Sequence, residues 1–225
     1  MFVDFASKRG LKLELCPQQN FYPDLSFTGK DSTRFAVDIK STYRINEQEV
    51  NGMTLGAFTG YFRERDSSKN TLYPYSMYTG HFVLGVIYTK CDGVADERKQ
   101  FTLKDLAKIP SVIKDFQFFA QPKYRIASSR PGSGNTKNIG STTKIANLVD
   151  GTGPFAELGG QVYDDYWMYY LTRDMAGALR VKRPYTNLNE YLDFKKRGIE
   201  KLTAREKQIV KAAEQEKPVK EEEPD

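Results

Sequence analysis

RFAVDIK, residues 34–40, alternates apolar and polar side chains, and thirteen residues separate Pro23-Asp24 from its aspartate. Successive side chains of a β-strand point to opposite faces. Phe35, Val37 and Ile39 therefore share one face, expected to be a buried apolar stripe. Ala36, Asp38 and Lys40 share the other, which sets a carboxylate beside an ammonium. Gly29-Lys30-Asp31-Ser32 has turn chemistry and closes a hairpin between this strand and the run Phe21 to Phe27. A turn at 29–32 opposes positions whose numbers total 61, and Asp24 and Asp38 total 62. The two carboxylates are thus expected nearly opposite, at a Cβ separation of about 5–6 Å.

Two acids so close repel unless a cation lies between them. Oxygen-only ligation suits a hard ion such as Mg²⁺, which takes one or two carboxylates together with water and phosphate oxygens. The chemistry that follows is phosphodiester hydrolysis. A metal there polarises the phosphoryl oxygen and stabilises the departing one, and Lys40 can hold the attacking water and offset developing charge. An Asp-x-Lys tripeptide alone is equally an ordinary salt-bridge pair on a surface hairpin. The proline–aspartate pair in register across the turn is what favours the functional reading.

Composition narrows the alternatives. The 225 residues are enough for one domain with appendages. One His and two Cys cannot build a four-ligand zinc site or a disulfide framework, which points to a reducing cytoplasm. A nucleophilic triad is disfavoured on the same ground. No apolar run approaches the ~18 residues of a membrane span, so no membrane association is expected. The net charge of +5 is unevenly spread: residues 213–225 carry −4, which leaves +9 on residues 1–212. Residues 116–149 hold no acid, only Lys123, Arg125, Arg130, Lys137 and Lys144. Such a stretch reads as a polyanion-binding surface or, equally, as a solvated face.

Residues 2–9 look like the end of an amphipathic helix stopped by Gly10. Residues 54–65 are expected to be helical, with Gly56 and Gly60 as weak points. HFVLGVIYTK, residues 81–90, is apolar on both faces and suits a central strand. Thr102 to Ile109 reads as a short helix ended by Pro110, Lys114 to Ala127 as strands interrupted at Pro122, and residues 128–143 as a small-polar loop. Gln161 to Thr172 is expected to be an aromatic-rich helix. Asn187 with Glu190 is a capping box opening another helix, and Thr203 with Glu206 repeats it before an acidic tail. Helices alternating with mixed strands indicate an α/β or α+β domain.

The loop at 128–143 is not a Walker phosphate loop, because the required spacing is absent. It has the composition of a flexible linker, yet also one suited to reading bases. Asn pairs bidentately with an adenine edge, and Gly lets backbone amides approach closely. Gln18-Gln19-Asn20, just before Pro23-Asp24, can likewise line a groove or form an ordinary loop.

Taken together, QQNFYPD (18–24), AVDIKSTY (36–43), TLGAFTGYFR (54–63), KNTLYP (69–74), GVIYT (85–89), GSGNTKNIGS (132–141) and DYW (165–167) closely resemble type II restriction endonucleases of the PD-(D/E)xK superfamily. The matches keep their order across Ala6 to Gly198. The resemblance implies a restriction-endonuclease-like core, a central mixed β-sheet flanked by helices, over residues 1–200, with 201–225 a C-terminal helix and acidic disordered tail. It implies Mg²⁺ held by Asp24, Asp38 and the Ile39 carbonyl, with Lys40 as the catalytic lysine. It implies base reading from the major groove by Gly132, Ser133, Gly134, Asn135, Thr136, Lys137 and Asn138. Gln18, Gln19 and Asn20 would lie near the minor groove, and Ser41, Thr42, Tyr43 and Lys69 would contact phosphates.

The implied partner is double-stranded DNA, cut by a homodimer at the centre of the palindrome GATATC to leave blunt ends. A cognate adenine methyltransferase in the same host would protect its own sites. Phe21 stands where the family pattern has histidine, and Lys137 where it has threonine. The chain begins partway along a helix that in the family follows further N-terminal structure. That structure contributes to the dimer interface and an acidic residue near the site, so a non-cleaving DNA-binding remnant is an alternative. A structure-selective repair nuclease on the same fold is another.

Overall fold

The computed structural model describes residues 2–91, 98–109, 111–132 and 137–195. Its strands are β1 (Lys12–Leu15), β2 (Leu25–Thr28), β3 (Arg34–Tyr43), β4 (Thr54–Ala57), β5 (Gly80–Lys90), β6 (Ile113–Pro122), β7 (Ala127–Pro131) and β8 (Asn138–Ser141). Its α-helices are α1 (Phe2–Arg9), α2 (Lys123–Ile126), α3 (Ile145–Asp150), α4 (Gly160–Tyr169), α5 (Arg173–Leu179) and α6 (Leu188–Phe194). The main sheet has the order β1-β2-β3-β5-β6. β3 and β5 are parallel, from Phe35 opposite Gly80 to Tyr43 opposite Tyr88, and the other neighbours are antiparallel. This is the expected mixed sheet flanked by helices. A parallel pair needs a long crossover, and residues 44–79 supply it.

That crossover corrects one expectation. Residues 54–65 form no α-helix: Thr54–Ala57 is a strand, and Gly60–Phe62 is a single 3-10 turn. Gly56 has φ +106° and Gly60 φ +55°, neither of which an α-helix admits. β4 instead joins β8 and β7 in a second, three-stranded sheet. Of the loop expected at 128–143, residues 128–131 belong instead to β7 and 138–141 to β8.

A second correction concerns β3. Ala36 is fully buried and Asp38 only 4% exposed, whereas Ile39 is 40% exposed and Phe35 and Val37 are half-buried. The polar face is thus the better covered one. The reason is the partner each face meets. Ala36, Val83 and Ile87 belong to a large aromatic core with Phe58, Phe62, Phe155, Tyr163, Tyr166 and Trp167. Several ring pairs there pack edge-on or tilted, such as Tyr166 on Trp167 at 5.2 Å and Phe58 on Trp167 at 5.2 Å, arrangements worth about 0.5–1.5 kcal/mol beyond area burial. The opposite face holds a smaller cluster of Leu25, Phe27, Phe35 and Val37 under α1, beside an open apolar groove of about 520 Å³.

Gly85, in the middle of β5, lies against the Phe119 ring on β6. A Cβ there would come within 2.0 Å of Phe119 Cζ, so only glycine admits the ring. Asn187 caps α6 as anticipated: its side chain accepts from the Glu190 amide at 2.9 Å, and Glu190 returns the bond to the Thr186 amide at 2.7 Å. Among the described residues no helix is long and apolar enough to cross a membrane. The helix and tail expected at 201–225 lie outside the described residues.

Candidate active site

The β2–β3 ladder pairs Leu25 with Val37 and Phe27 with Phe35, so opposed positions total 62. That is one more than the turn alone suggested, and it sets Asp24, one residue ahead of β2, opposite Asp38. The Asp24 backbone is fixed by the Cys16 amide, which donates to its carbonyl at 3.0 Å. Its side chain accepts from the Ile39 amide at 2.6 Å, a bond that ties it across the hairpin to the residue after Asp38. Just before it, Tyr22 exchanges backbone bonds with Asn70 and Leu72, and the Tyr22–Pro23 peptide is cis.

Asp38 faces two ammonium groups. Lys40 Nζ lies 3.4 Å from its Oδ2, and Lys123 Nζ lies 3.6 Å from the same oxygen. Lys40 is partly open to solvent; Lys123 is 4% exposed. Burial pulls the Lys123 ammonium below its usual range, while the Asp38 carboxylate beside it pushes back. Sequence reading counted Lys123 with the surface bases of an acid-free stretch. Nothing local distinguishes it from Arg125 or Lys137, because its burial follows from α2 lying behind the site. Tyr61 was also missed as a site residue. It lines the same cleft, and burial, with the Asp38 charge second, raises its phenol well above the usual range. The lone histidine, His81, is not among the residues lining the cleft: burial, with Lys123 second, pulls it down to about 2, and its Nδ1 shares a 2.6 Å hydrogen bond with the Tyr22 hydroxyl.

Asp24, Asp38, Lys40, Tyr61, Asn20 and Asn138 line one cleft of about 390 Å³. The hairpin that carries the two carboxylates thus opens onto the second sheet, from which Asn138 enters. The sequence model for the restriction endonuclease EcoRV family matches residues 1–196. The chain belongs to that family. The type II restriction enzyme EcoRV of Escherichia coli is 34% identical to it over 196 residues, which cover 86% of this chain and 77% of the relative. The mixed sheet and its flanking helices are accordingly a restriction-endonuclease fold.

The remaining residues expected of an EcoRV-family site fall into three groups. Gln19 and Asn20 line the cleft, Asn20 with φ +86°, while Gln18 is exposed on the same loop. Along β3, Ser41 is exposed. Thr42 is buried with its hydroxyl donating to the Asn51 carbonyl, and Tyr43 carries Lys90 Nζ 3.5 Å over its ring. Lys69 is exposed in the turn whose next residue, Asn70, bonds Tyr22. In the second sheet the Gly132 amide donates to the Asn138 carbonyl at 2.9 Å, and the exposed Lys137 bonds Phe58 through its carbonyl. Ser133, Gly134, Asn135 and Thr136 lie outside the described residues.

Among the described residues no cluster of three His, Cys, Asp or Glu side chains could hold a metal. The carboxylates that the cleft offers are Asp24 and Asp38, the latter followed by Ile39, whose amide bonds Asp24. Two carboxylates fit Mg²⁺, which keeps several waters and completes its shell with phosphate oxygens, and do not fit a site needing an all-protein cage.

Proposed function

We propose that this chain is a Mg²⁺-dependent site-specific endonuclease that cuts both strands of GATATC at its centre and leaves blunt ends. The observation that carries the reading is the placement of Asp24 and Asp38 opposite one another across β2 and β3, with Lys40 on Asp38, in a cleft entered by Asn138. Bound between the carboxylates, Mg²⁺ would supply Lewis-acid stabilisation of charge on the scissile phosphate. Lys40, anchored by Asp38 yet open to the cleft, orients the attacking water and offsets negative charge as it develops. Gln18, Gln19 and Asn20 border the reacting phosphate. Ser41, Thr42, Tyr43 and Lys69 position the duplex, Thr42 through its backbone because its hydroxyl is engaged. Residues 132–138 read base edges, with Asn135 facing an adenine.

A palindrome asks for two copies of the reading loop related by a two-fold axis, so the working unit is a homodimer. Residues 1–200 form the nuclease domain, 201–225 an appendage, and the setting is a bacterial cytoplasm with an adenine methyltransferase protecting host sites. The test is a plasmid with one GATATC site, incubated with the full chain with and without Mg²⁺, beside Asp38→Ala. One blunt cut that needs Mg²⁺ and Asp38 is expected. A plasmid left circular refutes the activity, and a cut elsewhere refutes the specificity.

A further inference from the structure

Lys123 is a charged group at this site that the proposed reaction does not use. It opens α2, directly after Pro122 ends β6, and its ammonium is shut off from the cleft. A buried ammonium is costly unless its partners return the lost hydration. In a core this rich in aromatic rings a methionine would fill the same space at less cost. What Lys123 touches accounts for it. Its Nζ lies 3.6 Å from Asp38 Oδ2 and 4.2 Å from the centroid of the Tyr22 ring. Tyr22 is two residues ahead of Asp24. The one ammonium thus joins the segment that carries Asp24 to the strand that carries Asp38.

Charge sharpens the point. Asp24 and Asp38 supply two negative charges to the cleft, and Lys40 and Lys123 supply two positive ones. The site is balanced before any metal enters. A divalent cation then meets little net attraction until a DNA phosphate adds a negative charge.

We propose that Lys123 is a positioning residue that sets the charge of the metal site, holding Asp38 against the Tyr22–Asp24 segment and making metal entry depend on DNA. This rests on the reading of Asp24 and Asp38 as the metal-holding pair. With Lys123 neutralised, the DNA-free protein would present a net negative site and take up metal without waiting for substrate. The same change would leave Asp38 less well held, so turnover falls while the DNA contacts, made elsewhere, keep KM.

The experiment is a Mn²⁺ titration of the DNA-free full chain, read from the electron paramagnetic resonance signal of the free ion. Lys123→Met, Lys123→Gln, Lys123→Arg and Lys123→Met combined with Asp38→Ala are compared with the unsubstituted protein, alongside thermal melting and steady-state cleavage. Both neutral variants are expected to bind Mn²⁺ on the order of tenfold more tightly, the small end of what one unit charge does to a nearby divalent ion. Their kcat falls at unchanged KM, and Lys123→Arg keeps the original metal affinity. Unchanged Mn²⁺ affinity in both neutral variants overturns the proposal, as does loss of cooperative melting in both, which would make Lys123 a structural residue. If only one loses its melt, the other decides. Asp38→Ala added to Lys123→Met separates the two readings: if the double variant binds Mn²⁺ as tightly as Lys123→Met alone, the assignment of the metal-holding pair fails instead.

Discussion

His81 offers a quantitative test of how the core behind the site is built. Its ring stacks on Tyr75 with centroids 3.9 Å apart and planes 12° apart, and its Nδ1 meets the Tyr22 hydroxyl. Burial first, then the nearby Lys123 and Arg65 charges, lower it from 6.5 to about 2. The native state therefore stays unprotonated at a pH where the unfolded chain has already taken up a proton. A folded value below the unfolded one makes stability fall as pH drops through 6.5 and below. The slope is about 1.4 kcal/mol per pH unit, which gives roughly 2.7 kcal/mol lost at about pH 4.5 relative to neutral pH.

His81→Phe keeps an aromatic ring and removes the titrating group. Urea unfolding followed by far-ultraviolet circular dichroism, at about pH 7 and about pH 4.5, supplies the four stabilities needed. Carboxylates elsewhere act alike in both chains and cancel in the difference. The variant pays a constant penalty for the lost Tyr22 bond, which also cancels. The unsubstituted chain is expected to lose roughly 2–3 kcal/mol more than the variant between the two conditions. Losses that agree within about 0.5 kcal/mol would show that His81 titrates alike in the folded and unfolded chain, and the picture of an enclosed neutral imidazole would be wrong.

Two further substitutions probe particular contacts. Asn187→Ala removes the α6 cap and should lower stability by about 1 kcal/mol. Burial works against Glu190, but its bonds to Thr186 and Asn187 outweigh it and hold the carboxyl below the usual range. Its share of the cap is therefore complete above the unfolded value of 4.5 and is lost as pH falls through the folded one. An Asn187→Ala melting temperature equal to that of the unsubstituted protein at neutral pH would count against the cap. Gly85→Ala drives a methyl group into the Phe119 ring and should cost about 1–3 kcal/mol; adding Phe119→Leu should recover part of that, and no recovery would place the strain elsewhere.

The hairpin that carries Asp24 and Asp38 was readable because it is local. Alternation along residues 34–40, a turn at 29–32 and a proline–aspartate pair set strand, register and partner within twenty residues of one another. The N-cap of α6 and the end of α1 at Gly10 were readable for the same reason. What escaped was decided by distant packing. Alternation separates the two faces of β3, but which face is buried depends on the aromatic core that Phe58, Phe62 and Tyr75 share with residues 155–192, and on the thin cover α1 gives the other. Residues 54–57 have no strong preference of their own and become a strand because β8 is there to pair with them. Lys123 looks like any surface base until α2 turns it toward Asp38.

Trp167 is the only tryptophan of the chain, and it is wholly enclosed. Tyr166 and Tyr170 lie at centroid distances of 5.2 Å and 5.0 Å from it. An indole held out of water emits at short wavelength, and tyrosines so near pass their excitation to it. The protein thus carries a single built-in optical reporter in the core that backs the five-stranded sheet. Its emission will shift when that core opens and stay still when only an exposed loop rearranges.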